Sequence, residues 1–183
     1  MDKMNNNTRW ITRSAALTAL LVTAQFTTAG FGNQYLTGSI VNLILAVSAI
    51  SSGLAVGLTV AVISPVCAFL VGAGPGFPAL IPFIMLGNTT YILAWNILKR
   101  LGKNEETGTE RKLIYYSAPM AAALVKFLTL YVGVVFIAAP YLLELNEKQS
   151  AMITRMFSYP QFINALIGGI VAQIVNKYIM VKN

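Results

Sequence analysis

The sequence predicts an all-α integral membrane protein with six transmembrane helices and with both termini in the cytoplasm. Of its 183 residues 56% are hydrophobic and only 10% are charged, whereas about 25% are charged in an average soluble domain. The 85 residues from Ser14 to Leu98 contain no Asp, Glu, Lys or Arg. A soluble core cannot bury that much uncharged chain, but a bilayer can. We therefore expect a single six-helix membrane domain over residues 1–183.

Apolar runs and the turn residues between them define the expected spans. The Gly- and Pro-rich cluster 72–78 separates the third span from the fourth, and Ser51-Ser52-Gly53 marks a softer boundary between the second and third. A charged loop (99–112) and an amphipathic linker (140–158) flank the fifth span. The first span also fits a signal peptide, because it has a basic start and a short apolar body. The predicted spans are 10–28, 38–52, 53–71, 79–98, 113–139 and 159–180.

The basic residues predict the orientation, because cytoplasmic loops carry an excess of Lys and Arg. With the N-terminus inside, six spans leave only Lys148 and Arg155 on the outer side. The net charge of +7 is then a topology signal, and we expect no nucleic-acid partner. The residues placed in the cytoplasm are Lys3, Arg9, Arg13, Lys99, Arg100, Lys103, Arg111, Lys112, Lys177 and Lys182.

The fifth span carries one charged residue, Lys126, near its centre. An ammonium at that depth costs between about 2.5 and more than 10 kcal/mol, depending on how it is solvated. Its helical face also carries Pro119, Ala122, Thr129 and Gly133, which are small enough to pack against neighbouring helices. We therefore expect Lys126 to form the floor of a polar cavity. The alternative is that its long side chain reaches an interface.

Uncharged amide side chains collect in the outer half of the predicted bundle. Amides in hydrocarbon are costly without partners, so we expect them to face the interior and to line a cavity open to the exterior. Helical spacing places Gln161, Asn164 and Gly168 on one face, and it does the same for Asn88, Tyr91 and Trp95. The alternative is that the amides only join helix to helix. The candidate substrate-binding residues are Lys126, Asn88, Asn42, Gln161, Asn164, Gln34, Asn33 and Tyr91.

The sequence lacks the patterns of the common enzyme classes. All six carboxylates fall in tails or loops, which argues against a proton pump built on acidic relays. There is no histidine, and Cys67 is the one cysteine, so no disulfide forms within the chain. Residues 72–76 lack the Lys-Ser/Thr ending of a phosphate-binding loop. We expect no enzymatic activity, no metal and no cofactor, so that any ATP hydrolysis belongs to a partner subunit.

Several motifs together resemble one transporter family. The first span has a basic start followed by Ala15-x-x-x-Ala19, and the whole chain holds six short spans in under 200 residues. With its outward polar cavity, the chain resembles the substrate-binding S component of an energy-coupling-factor (ECF) transporter. The resemblance covers essentially the whole chain. Other stretches that carry it are Thr37-Gly-Ser-Ile-Val-Asn42, Ile81-Pro-Phe-Ile-Met-Leu-Gly-Asn88, Ala123-Leu-Val-Lys-Phe127 and Pro160-Gln-Phe-Ile-Asn-Ala-Leu-Ile-Gly168.

This resemblance implies a multi-pass subunit of the bacterial cell membrane that captures a vitamin or related micronutrient from outside. It also implies that Ala15 and Ala19 dock on a transmembrane T subunit, and that two ATPase subunits then drive the S component to topple. The amide-rich rim favours cobalamin, whereas Lys126 favours a small anion; riboflavin, pantothenate and a queuosine precursor stay open. Two alternatives are a stand-alone small secondary transporter, for which no internal repeat is visible, and a membrane assembly or scaffold subunit without a ligand.

Overall fold

The described part of the chain is mainly helical, with no β-strand. The structure is a computed structural model that describes residues 6–104 and 108–181. Short helical segments flank the α-helices: a π-helix at Ser48–Ser52, a 3₁₀ turn at Pro78–Leu80 and a second π-helix at Tyr131–Ala138. The α-helices are α1 (Asn6–Ala29), α2 (Gln34–Val47), α3 (Leu54–Leu70), α4 (Ile81–Asn104), α5 (Gly108–Leu130), α6 (Ala139–Tyr141), α7 (Glu147–Met156) and α8 (Tyr159–Val181).

Six long helices form an up-and-down bundle. Helix α1 packs against α2 and α3, α4 packs between α3 and α5, and α8 packs against α2 and α5. The N-termini of α1 and α5 and the C-termini of α4 and α8 lie at one end, which we call the basic end because it carries Arg9, Lys99, Arg111 and Lys177. At the other end, which we call the amide end, the α1–α2 and α3–α4 loops meet α7.

Four segments are long and apolar enough to cross a membrane: Gln34–Ser52, Pro78–Gly102, Gly108–Tyr141 and Glu147–Tyr178. Helix α3 is also apolar, but it has 17 residues. Helix α1 has 24 residues and is more polar, because it contains Arg9, Arg13 and several threonines. The described residues thus confirm the predicted all-helical fold and contain four helical segments long and apolar enough to span a membrane. That they do span it, and that there are six spans, stay predictions.

Most of the charged loop expected at 99–112 is helical instead. Helix α4 continues to Asn104, and α5 begins at Gly108. Lys, Arg, Leu and Glu have high helix propensity, so these residues extend the two helices beyond their apolar parts. The expectation that Glu105 and Glu106 lie in a loop falls outside the described residues.

The expected linker at 140–158 contains a helix of its own, α7. Its start is a capping box, in which the Asn146 side chain accepts from the Gln149 backbone N–H and the Gln149 side chain accepts from the Asn146 backbone N–H. Ile153 and Phe157 are buried against Leu80 and Leu130, among others. Helix α7 therefore packs onto the amide end of the bundle.

The face of α5 that carries Lys126 is the buried face, as its small residues predict. Pro119, Ala122 and Gly133 are buried together with Lys126, whereas Leu124 is exposed. Lys126 is only 3% exposed. Its side chain thus ends inside the bundle and does not reach an interface.

Helices α2 and α8 cross at glycines. A Cβ atom on Gly168 would lie 2.6 Å from the backbone oxygen of Ser39 and 2.6 Å from the backbone nitrogen of Leu43. A Cβ atom on Gly38 would lie 2.2 Å from Nδ2 of Asn164. This close approach brings Asn164 of α8 beside α2, at the level of the bundle where the polar groups meet.

We predict that Gly168→Ala destabilises the protein by about 1–3 kcal/mol, because the added methyl meets backbone atoms that cannot rotate away. Thermal unfolding in detergent measures the loss. Gly30→Ala is the matched control, since a Cβ atom at Gly30 has no heavy atom within 4 Å. Equal melting temperatures for the two variants would contradict the close crossing.

Candidate ligand-binding cavity

Lys126 is held by two asparagine side chains. Its Nζ donates to Oδ1 of Asn42 and to Oδ1 of Asn88, each at 2.7 Å. The amide nitrogens are themselves bound, since Nδ2 of Asn42 donates to the Gly38 carbonyl at 2.8 Å and Nδ2 of Asn88 donates to the Ala61 carbonyl at 3.4 Å. Both amide oxygens therefore point toward the lysine. A lysine ammonium has three donors, and the two asparagines accept from two of them.

The bond from Asn88 to Ala61 follows from a proline. Pro65 lies inside α3, and a proline has no N–H to donate to the carbonyl four residues earlier, which here belongs to Ala61. Asn88 of α4 supplies the missing donor. The same relation recurs in α5, where Pro119 leaves the Tyr115 carbonyl free and Nε2 of Gln173 donates to it. In both cases an amide of a neighbouring helix satisfies the carbonyl that the proline releases.

Tyr91 lies behind the lysine. Nζ of Lys126 is 5.4 Å from the centre of the Tyr91 ring, close enough for a cation–π interaction. The Tyr91 hydroxyl donates to the Ala165 carbonyl at 2.9 Å, and the ring packs edge-to-face on Trp95. Tyr91 is fully buried and is absent from the cavity lining. Its position is that of a support for Lys126, and it does not contact the cavity where we expected it to bind a ligand.

A cavity of about 290 Å³ lies above Lys126 and extends to the loops of the amide end. Its volume is near the lower limit of the roughly 300–1,000 Å³ typical of small-molecule sites. Among the described residues that line it, Lys126 is the one with a formal charge, and the walls include Leu21, Val41 and Leu130. The structure brings seven of the eight candidate residues to this cavity: Lys126, Asn88, Asn42, Gln161, Asn164, Gln34 and Asn33.

The amides nearest the amide end fasten the loops around the cavity. Nε2 of Gln34 and Nε2 of Gln161 both donate to the carbonyl of Met156, at 2.7 and 3.1 Å. Asn33 caps α2 by accepting from two backbone N–H groups. Nε2 of Gln25 donates to the Ala73 carbonyl at 2.7 Å. Gln34 and Gln161 thus bind the end of α7 and Gln25 binds the α3–α4 loop, whereas Asn33 caps its own helix.

Two buried side-chain oxygens of the described cavity-lining residues have no hydrogen-bond partner. They are Oδ1 of Asn164, whose Nδ2 donates to the Gln34 carbonyl, and Oγ of Ser64. Leaving a buried polar atom unpaired costs about 1–3 kcal/mol. Sequence reasoning missed Ser64, because a serine in an apolar helix commonly bonds a carbonyl of the preceding turn, as Ser48 does with Leu45.

Ala15 and Ala19 lie on a different surface. Both are exposed on α1, and they line a groove of about 530 Å³ between α1 and α3. Ser14 and Thr18 are buried beside them, and Oγ of Ser14 has no hydrogen-bond partner. The groove shares no lining residue with the cavity above Lys126. The structure thus separates the proposed ligand residues from the proposed docking residues.

Comparison of the chain with known protein families, with characterised proteins and with solved structures found no match. The described residues also contain no group of three or more His, Cys, Asp or Glu side chains that could hold a metal ion. The functional assignment therefore rests on the chemistry of the cavity.

We predict strong coupling between Asn88 and Lys126. Asn88→Leu removes one acceptor from a buried ammonium and leaves the Ala61 carbonyl unpaired, so a loss of about 2–4 kcal/mol is expected. In a Lys126→Met background the same substitution costs less, by at least about 1 kcal/mol, because no ammonium is left to satisfy. Denaturant unfolding of the four proteins measures this coupling energy. Gln25→Leu is the control, because Gln25 contacts the α3–α4 loop. Its effect on the free energy of unfolding is expected to add to that of Lys126→Met.

Proposed function

We propose that the protein is the substrate-binding S component of an ECF-type, ATP-driven importer and that it captures a small vitamin or related micronutrient. The observation that carries this proposal is the Lys126 ammonium, buried and held by two neutral amides at the floor of a cavity. Ionisable residues within membrane-spanning segments are rare, and they commonly mark substrate or ion sites. The resemblance in sequence supports the same class of protein.

The proposed topology has six spans, with the basic end in the cytoplasm. Helices α1 and α3 pack in one bundle with the four strongly apolar segments, which supports their crossing the membrane together. The described basic residues near the ends of the six long helices lie at the basic end. Lys148 and Arg155, which belong to the short helix α7, lie at the amide end. By the positive-inside rule, the basic end then faces the cytoplasm. The cavity above Lys126 consequently opens toward the exterior.

The size of the cavity favours a small ligand. A cobalamin carries a corrin ring and a nucleotide tail and is far larger than a cavity of about 290 Å³. The rim amides that favoured cobalamin are also engaged, because Gln34 and Gln161 both hold the Met156 carbonyl. Among the ligands expected from the resemblance, we therefore propose the smaller ones.

The polar atoms of the cavity define what that ligand must carry. Lys126 has one donor beyond those accepted by Asn42 and Asn88, so the ligand needs an acceptor there, and a carboxylate gives the strongest bond. Because no carboxylate lines the cavity among the described residues, an anionic ligand would compensate the lysine charge.

The groove of α1 and α3 is the proposed docking surface for a transmembrane T subunit, which acts with two ATPase subunits. Exposed alanines four residues apart allow a partner helix to approach closely. Toppling within the bilayer also requires an outer surface that lipid tolerates. Exposed apolar side chains such as Leu20, Phe26 and Phe136 supply such a surface.

We predict that the tagged chain co-purifies with a T subunit and two ATPase subunits, and that Ala15→Leu with Ala19→Leu abolishes this co-purification by blocking the groove. Ala16→Leu is the control, because Ala16 is exposed on α1 but does not line the groove. Quantitative mass spectrometry of the purified complex measures the outcome. Solute uptake by liposomes containing this chain alone would instead identify a stand-alone transporter.

We predict that Lys126→Met lowers ligand affinity about 10- to 100-fold, the equivalent of one charged hydrogen bond, while co-purification of the partners is unchanged. Mass spectrometry of small molecules released from the purified protein identifies the ligand, and equilibrium binding of that compound measures its affinity. Lys148→Met removes an exposed lysine from α7 and is the control. Unchanged binding by Lys126→Met would make the lysine structural, and an empty wild-type protein that still assembles would indicate a scaffold.

A further inference from the structure

A second cavity, of about 490 Å³, lies at the basic end between α4, α5 and α8. It shares no lining residue with the cavity above Lys126 or with the groove of α1 and α3. Three cationic side chains line it, those of Lys99, Arg111 and Lys112, and its described lining contains no carboxylate. The residues of this basic cavity have no part in the proposed capture of a vitamin.

The cations of the basic cavity have different roles. Nζ of Lys99 donates to the Ile50 carbonyl at 2.7 Å, which fixes this ammonium against the π-helical end of α2. Arg111 and Lys112 are neighbours in the first turns of α5, and both are exposed. Adjacent Arg and Lys side chains provide a planar fork and a compact point charge, a combination that suits a phosphate group.

The inner wall of the basic cavity is apolar. Trp95, Leu98, Ile114 and Ala118 extend from the cationic rim toward the centre of the bundle. The rings of Tyr115 and Tyr116 contact each other edge-to-face at the rim, with centroids 5.3 Å apart. Tyrosines are enriched at the boundary between headgroups and hydrocarbon. A charged rim above an apolar wall has the polarity profile of a phospholipid.

We infer that the basic cavity binds an anionic phospholipid of the cytoplasmic leaflet, with the phosphate near Arg111 and Lys112 and an acyl chain along the apolar wall. Basic pockets between transmembrane helices on the cytoplasmic side are suited to such headgroups. A soluble anion would use only the rim, whereas a lipid fills the wall as well. This inference relies on the membrane orientation in the proposed function, but not on the identity of the transported ligand.

The sequence provides an internal reporter, because its two tryptophans are Trp10 and Trp95 and only Trp95 lines the basic cavity. In a Trp10→Phe protein, bromine on the acyl chains quenches Trp95 when a lipid occupies the wall. We propose to measure this fluorescence in nanodiscs with increasing fractions of brominated phosphatidylglycerol, and in parallel with brominated phosphatidylcholine. Half-maximal quenching is expected at a lower fraction of phosphatidylglycerol. Equal quenching by the two lipids would overturn the inference.

The charge-removing double variant Arg111→Gln with Lys112→Gln is expected to raise the phosphatidylglycerol fraction at half-quenching on the order of tenfold. The control, Lys148→Gln with Arg155→Gln, removes the same charge from exposed positions on α7 and is expected to behave as the parent. An equal shift in the control would show general charge attraction and overturn a specific site. Relief of quenching by inorganic phosphate at constant ionic strength would assign the site to a soluble anion. The quenching experiment needs no transport partner. A negative result would therefore overturn the lipid site without testing the proposed function.

Discussion

The structure depends on how a lysine is accommodated in an apolar bundle. An ammonium at that depth costs several kcal/mol unless its protons find acceptors, and Lys126 finds them in Asn42 and Asn88, each at 2.7 Å. Both asparagines are fixed in turn by bonds from their amide nitrogens to backbone carbonyls. One side chain thereby joins α2, α3, α4 and α5. The small face of α5 and the glycine crossing of α2 and α8 allow the helices to come this close.

The partners of Lys126 are neutral side chains, and this affects both the stability of the protein and the ligand binding that we propose. A carboxylate in place of either asparagine would neutralise the lysine and leave it little attraction for a ligand. Two amide oxygens satisfy donors without removing the charge, so the cavity retains an uncompensated cation at its floor. The same cavity contains unpaired oxygens on Asn164 and Ser64. Leaving these buried oxygens unpaired costs folding free energy.

Much of this arrangement follows from the sequence, because helical periodicity and the cost of buried amides leave few alternatives. They predict the buried face of α5 and bring seven of the eight candidate residues to one cavity. They do not predict which partner each amide takes. Asn88 bonds the carbonyl that Pro65 releases, Gln161 bonds Met156, and Tyr91 lies behind the lysine, because these positions depend on how helices distant in sequence pack. Ser64 was missed because a serine in an apolar helix commonly bonds a carbonyl of the preceding turn and so gives no sign of a site.

Helices α1 and α3 both lie between the cavity above Lys126 and the groove that we propose as a docking surface. Ser64 and Pro65 line the ligand cavity, whereas Ile63 and Cys67 on the other side of the helix line the groove with Ala15 and Ala19. The missing hydrogen bond at Pro65 weakens α3 at this level, and Asn88 compensates it from the group that holds Lys126. A ligand that draws Lys126 away from Asn88 would therefore alter the support of α3 directly.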